Sequence, residues 1–134
     1  MADAVKTTTV IDGTKTAVIY CSNTSDGTGE SAVTKVDVSA LSSNQEGASC
    51  TGVRIQKVIF STVGMGVKIL WDATADVIAV ELPADYSDTL DYFDISGLPN
   101  NAASGGNTGD IQFTTVGPDS GDTYSVVLYC LKEY

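Results

Sequence analysis

The side chains in this sequence with the means to do chemistry are carboxylates. Asp85, Asp88, Asp91 and Asp94 recur at every third residue in Asp-Tyr-Ser-Asp-Thr-Leu-Asp-Tyr-Phe-Asp. Clustered carboxylate oxygens suit a hard cation such as calcium. The spacing does not match the D-x-D-x-D-G loop of EF-hands, and a strand would send alternate members to opposite faces. The run reads as a solvated acidic edge, with calcium as the alternative. Paired carboxylates also serve glycoside hydrolysis, but such enzymes usually offer several aromatic platforms and this chain has one tryptophan, Trp71.

Other chemistries lack their residues. Histidine is absent, which removes Ser-His-Asp and Cys-His arrangements and the commonest zinc ligand. Cys21, Cys50 and Cys130 are far apart, with no C-x-x-C pair, so no structural zinc is expected. No Gly-rich loop ends in Lys-Ser or Lys-Thr, so there is no P-loop, and Gly106-Asn-Thr-Gly109 is a turn without phosphate-binding context. The expectation is a chain that is not an enzyme, with no catalytic, cofactor or metal site.

Charge narrows the partners. Seventeen acidic residues against 7 basic ones give a net charge of −10. Nucleic-acid binding needs clustered Lys and Arg, whereas Lys6, Lys15, Lys35, Arg54, Lys57, Lys68 and Lys132 are scattered. Anionic membrane surfaces repel such a chain, and no apolar run is long enough for a transmembrane helix. The start, Met-Ala-Asp-Ala-Val-Lys, lacks a signal-peptide pattern. Synthesis in a cytoplasm with reduced cysteines is therefore expected. Cys21 and Cys130 end apolar runs and read as small buried hydrophobes; Cys50 follows a polar stretch and reads as exposed.

The elements that position these residues are strands. Residues 1–134 form one domain, of a size that buries about two-thirds of its unfolded surface. Thr, Val, Ser, Asp and Gly are common, and no long stretch has helical spacing. Val5–Ile11 and Lys15–Asn23 flank Asp12-Gly13, a strong hairpin turn. Residues 1–9 form an N-terminal arm that pairs within the chain or reaches a neighbour. Thr24–Ser31 is a loop. Val33–Val38 is an amphipathic strand with Lys35 and Asp37 on its wet face, followed by a polar loop, Ser39–Ser49. Gly52–Thr62 is a central strand broken by Gly64-Met65-Gly66, where Met65 marks a tight turn or a close backbone approach.

Val67–Trp71 and Asp76–Leu82 follow, with Pro83 as a boundary. Trp71 reads as core, or as an interface anchor. Tyr86–Ile95 is a short strand or irregular, and Leu98–Gly109 is a long loop. Ile111–Val116 and Thr123–Leu131 read as a hairpin. Lys15–Asn23 and Thr123–Leu131 are apolar on both faces, so the second face needs another sheet or another chain. The pattern is all-β: a single β-sandwich, jelly-roll-like, of eight or nine short antiparallel strands.

Several stretches carry a resemblance. Thr24-Ser-Asp-Gly-Thr-Gly-Glu-Ser-Ala-Val-Thr-Lys-Val-Asp-Val-Ser39, Gly64-Met-Gly-Val-Lys-Ile-Leu-Trp-Asp72, Gly109-Asp-Ile-Gln-Phe-Thr-Thr-Val-Gly117 and Gly121-Asp-Thr-Tyr124 resemble small structural proteins of tailed bacteriophages, particularly marine and cyanobacterial phages. The resemblance spans most of the chain. It implies a virion protein, foremost a capsid cement or decoration protein. The expected partner is the major capsid protein, on the outer capsid surface; the strands that are apolar on both faces add the expectation of a homo-oligomer, with a trimer the first expectation by analogy with decoration proteins. The alternatives are a neck-, tail- or fibre-associated phage protein and a carbohydrate-binding β-sandwich; the scarcity of aromatics counts against the last. The resemblance supplies no catalytic residues.

Overall fold

The computed structural model describes residues 4–73, 75–100 and 108–134. Among these, nine strands form two antiparallel sheets. They are β1 Ala4–Asp12, β2 Thr16–Asp26, β3 Val33–Val36, β4 Gly52–Val63, β5 Gly66–Trp71, β6 Val77–Leu82, β7 Ser87–Asp91, β8 Ile111–Val116 and β9 Ser120–Glu133, with single 3-10 turns at Val38–Ala40 and Phe93–Ile95. One sheet runs β1-β2-β9-β4-β7 and the other β3-β8-β5-β6. The fold is a β-sandwich.

Alternation decides what lies between the sheets. On the five-stranded sheet Ala17–Cys130–Ile55, Ile19–Leu128–Val58 and Cys21–Val126–Phe60 line up across β2, β9 and β4, and all are buried. Val67, Ile69, Trp71, Ile111 and Phe113 of the other sheet are buried in the same core. Each buried Val, Leu, Ile or Phe side chain among them contributes about 1.5–3 kcal/mol. Trp71 is fully buried, so its place is the core.

Gly64-Met65-Gly66 carries the chain from one sheet to the other. Gly64 has φ +81°, and a Cβ at Gly66 would come 3.0 Å from the Leu82 carbonyl oxygen. Met65 between them is fully buried. The segment is a tight turn and a close backbone approach together.

The structure corrects several expectations. Ile111–Val116 and Thr123–Leu131 are not a hairpin. β8 pairs with β3 and β5, whereas β9 pairs with β2 and β4, because β9 has apolar partners on both flanks in the larger sheet. Cys50 is buried rather than exposed, since the chain turns inward just before β4 and the thiol packs in the core. Lys35 is also buried. The β3–β8 register slips between Thr34 and Val36, and this bulge turns Lys35 and Val36 inward together. β2 extends to Asp26, past the expected loop boundary at Thr24.

The remaining segments resolve as follows. Residues 4–9 of the arm belong to β1 and pair with β2 in the same chain. Residues 1–3, and residues 101–107 of the Leu98–Gly109 loop, lie outside the described residues. Leu98 exchanges both backbone hydrogen bonds with Ile55, at 2.7 and 3.1 Å. The ambiguous Tyr86–Ile95 stretch is β7, paired with β4, followed by a 3-10 turn.

Candidate functional site

Three features stand out once the layers are assembled. The first lies inside the sandwich, at the end of the core between β2 and β3. The Gly27–Ser31 loop folds inward there because β8 holds it. The Glu30 N–H donates to Thr115 Oγ1 at 2.8 Å, the Thr115 N–H donates to the Glu30 carbonyl at 3.0 Å, and the Ala32 N–H donates to Thr114 Oγ1 at 2.9 Å. Gly29, at φ +78°, has no room for a Cβ, which would stand 2.6 Å from both Pro118 Cγ and Thr115 Oγ1. These restraints carry the Glu30 carboxylate into the core.

That carboxylate gathers three side chains. Lys35 Nζ lies 2.5 Å from Glu30 Oε2, with the two side chains 1% and 4% exposed. Asn23 Nδ2 donates to Oε1 at 2.9 Å, and the Tyr124 hydroxyl donates to the same oxygen. Lys35 Nζ also stands 5.8 Å from the centre of the Phe113 ring, which meets Tyr124 edge-on. Burial, and then the Glu30 carboxylate, hold the Tyr124 phenol protonated well above its ordinary range. An ion pair this deep is expensive to desolvate, so these partners are tightly specified.

The second feature is the outer face of the five-stranded sheet. Tyr20, Val127, Ile59 and Thr89 form a row across β2, β9, β4 and β7. Beside it runs a row of serines, Ser22, Ser125, Ser61 and Ser87, the last two joined by a 2.9 Å hydroxyl bond. A shallow depression of about 530 Å³ lies over these rows. On the other flank Val18 pairs with Tyr129, whose ring carries Lys57 Nζ at 5.6 Å. Tyr20 and Ile59 are exposed, and Val127, Tyr129 and Leu131 are half-buried. This is the second apolar face of β2 and β9, and no element among the described residues covers it.

The third feature is at one end of the sandwich. Lys132 Nζ, fully buried, binds Asp12 Oδ1 at 2.5 Å, the Gly13 carbonyl at 2.5 Å and the Ser42 carbonyl at 3.0 Å. This joins the β1–β2 turn to the Ser39–Ser49 loop. A depression of about 440 Å³ beside it is lined by Thr14, Lys15, Asn44, Glu46 and Tyr134 among others.

The acidic run is dispersed. Asp85 Oδ1 accepts from the Gly64 N–H at 2.8 Å, Asp88 Oδ1 from the Thr89 N–H at 2.7 Å and Asp91 Oδ1 from the Phe93 N–H at 2.9 Å. Asp94 sits in the following 3-10 turn. All four are exposed, and among the described residues no group of three or more His, Cys, Asp or Glu is placed to hold a metal. Burial pushes the Cys21 thiol up to about 11 and the Cys130 thiol to about 12, so neither is a nucleophile at neutral pH.

No family model, curated protein or solved structure matches this chain. The buried cluster of Asn23, Glu30, Lys35 and Tyr124 escaped the reading of the sequence. Glu30 stands in a polar Gly-rich loop and Lys35 alternates with valines, and both patterns ordinarily mark exposed residues. Their convergence depends on the β3 bulge and on pairing between Glu30 and β8, which no local pattern announces.

Proposed function

We propose that this protein is a virion structural protein of a tailed bacteriophage, a decoration protein that binds the outer capsid surface and reinforces the shell. The observation that carries the reading is the uncovered apolar row Tyr20–Val127–Ile59 on the outer face of the five-stranded sheet. A lone antiparallel sandwich ordinarily turns polar side chains to water on that face, and an exposed apolar face rimmed by polar groups marks an interface. In this reading the face joins copies of the protein into a homo-oligomer, with a trimer the form proposed. The Ser39–Ser49 loop, anchored beside the β1–β2 turn through Ser42 and Asp12, meets the major capsid protein.

The resemblance to phage structural proteins supports this reading. So does the charge: packaged DNA repels a protein of net charge −10 from the inside of the shell. A cement of this kind binds two or more capsid subunits at once, so its binding energy is realised only in the assembled lattice. The test is to label the protein in intact particles. Copies spread over the head in a number matching the capsid lattice are expected; a signal confined to the neck or tail overturns the reading in favour of a neck or tail protein.

A further inference from the structure

We propose that the buried cluster is a self-modification site that forms an intramolecular isopeptide bond between Lys35 Nζ and Asn23 Cγ, with Glu30 as its proton-transfer catalyst. Three observations carry the inference. An amine, a carboxamide and a carboxylate share one pocket in the core, and a single carboxylate bridges the other two: Lys35 Nζ on Oε2 at 2.5 Å and Asn23 Nδ2 on Oε1 at 2.9 Å. The side chains of Lys35 and Glu30 are almost wholly shielded from water, and Asn23 is 2% exposed. Finally, Asn23 lies on β2 and Lys35 on β3, strands of opposite sheets that approach within 8 Å between Cα atoms.

The chemistry balances within the chain. Glu30 takes a proton from the Lys35 ammonium, leaving an uncharged pair, which apolar surroundings tolerate better than two separate charges. The neutral Nζ attacks Asn23 Cγ, and the Nζ–Cγ bond forms. Glu30 Oε1, already hydrogen-bonded to Nδ2, returns a proton to that nitrogen. The Nζ of the adduct gives its surplus proton to Glu30, the Cγ–Nδ2 bond breaks, and ammonia departs with the two Nδ2 hydrogens and the one that Glu30 returned, leaving Glu30 protonated, so no oxidant, reductant or other reactant enters. Held geometry replaces a bimolecular encounter, and exclusion of water suppresses hydrolysis of the amide. Tyr124, donating to Oε1, is a positioning residue that fixes the carboxylate between its two partners. The product staples the two sheets together.

The purified full-length protein, held at neutral pH for several days, tests this by mass spectrometry. The expected intact mass is lower than the sequence mass by one ammonia. Cleavage after acidic residues opens the chain at Asp26 and Glu30, between the two linked positions. The expected product is then a branched peptide carrying Asn23 on one arm and Lys35 on the other. An unaltered mass overturns the proposal, and so does loss of ammonia without the branched peptide, which marks cyclisation of an asparagine on its own backbone. Lys35→Arg should retain the ammonia. Glu30→Gln, checked for fold by circular dichroism, should slow crosslinking by about 10²–10⁴-fold; crosslinking at the parent rate removes Glu30 from the mechanism. If Glu30→Gln does not fold, the branched peptide from the parent protein still decides whether the bond forms.

Discussion

Lys132 Nζ and Asp12 Oδ1 lie 2.5 Å apart although 120 residues separate them in the chain. The contact joins the first hairpin to the last strand and, through Ser42, to the loop before β4. The Lys132 hydrogen bond holds the Asp12 carboxyl below the usual carboxylate range, with smaller help from Ser42. A carboxyl whose folded value is depressed stabilises the fold above its unfolded value, and the contribution is lost as pH falls through the folded value. Urea titrations of the parent should therefore lose stability through and below the ordinary Asp range, and Asp12→Asn should flatten that slope. At pH 7 Asp12→Ala should cost about 1–3 kcal/mol, because it leaves a buried ammonium with neutral oxygen partners alone.

Gly29 decides whether Glu30 can enter the core. Its φ of +78° and the 2.6 Å approach of a Cβ to Pro118 and Thr115 make Gly29→Ala strained and crowded at once. The strain alone is worth about 1–3 kcal/mol. The expected result is a fall in melting temperature with loss of protection at the Glu30 and Ala32 amides in hydrogen exchange. Unchanged protection would show that the loop does not depend on this glycine.

All three cysteines are free and buried. Reductant should leave the melting temperature unchanged, and thiol reagents should react only as the protein unfolds. Thiols with raised folded values also set a direction for pH. Above the ordinary thiol value the unfolded chain ionises while the folded chain does not, so stability falls as pH rises from there toward about 11 for Cys21 and about 12 for Cys130. The Cys21 shift corresponds to about 2–3 kcal/mol at the alkaline end. Thermal melts between neutral and strongly alkaline pH check this, and Cys21→Ala should reduce the slope.

Ile59 lies beside Val127 in the outer apolar row and is 36% exposed. Ile59→Lys should change the monomer's stability by no more than about 0.5 kcal/mol, as exposed substitutions generally do. If the outer face joins copies of the chain, the same change should weaken self-association by 2 kcal/mol or more, roughly a 30-fold effect, as for a central interface residue. Light scattering and sedimentation of parent and variant read both quantities. A parent that stays monomeric at high concentration contradicts self-association through this face in solution.

The sequence by itself determined the kind of fold. Short β-prone runs without helical spacing and the punctuation at Asp12-Gly13, Gly64–Gly66 and Pro83 suffice for a β-sandwich, because side-chain period and turn chemistry are local properties. It also showed that β2 and β9 are apolar on both faces, which is why the outer face, uncovered among the described residues, is apolar. Only the tertiary structure decided which strands pair. β8 and β9 are neighbours in sequence but lie in different sheets, since pairing depends on which apolar surfaces meet. Only the tertiary structure turned Lys35 inward, because a bulge reverses the alternation that made it look wet. It likewise buried Glu30 in a loop of polar, exposed-looking composition. The Asn23–Glu30–Lys35 cluster is the meeting of three residues that are each unremarkable locally. It exists because β8 pins one loop while β2 and β3 close over it, and that is a property of the packed sheets rather than of any segment.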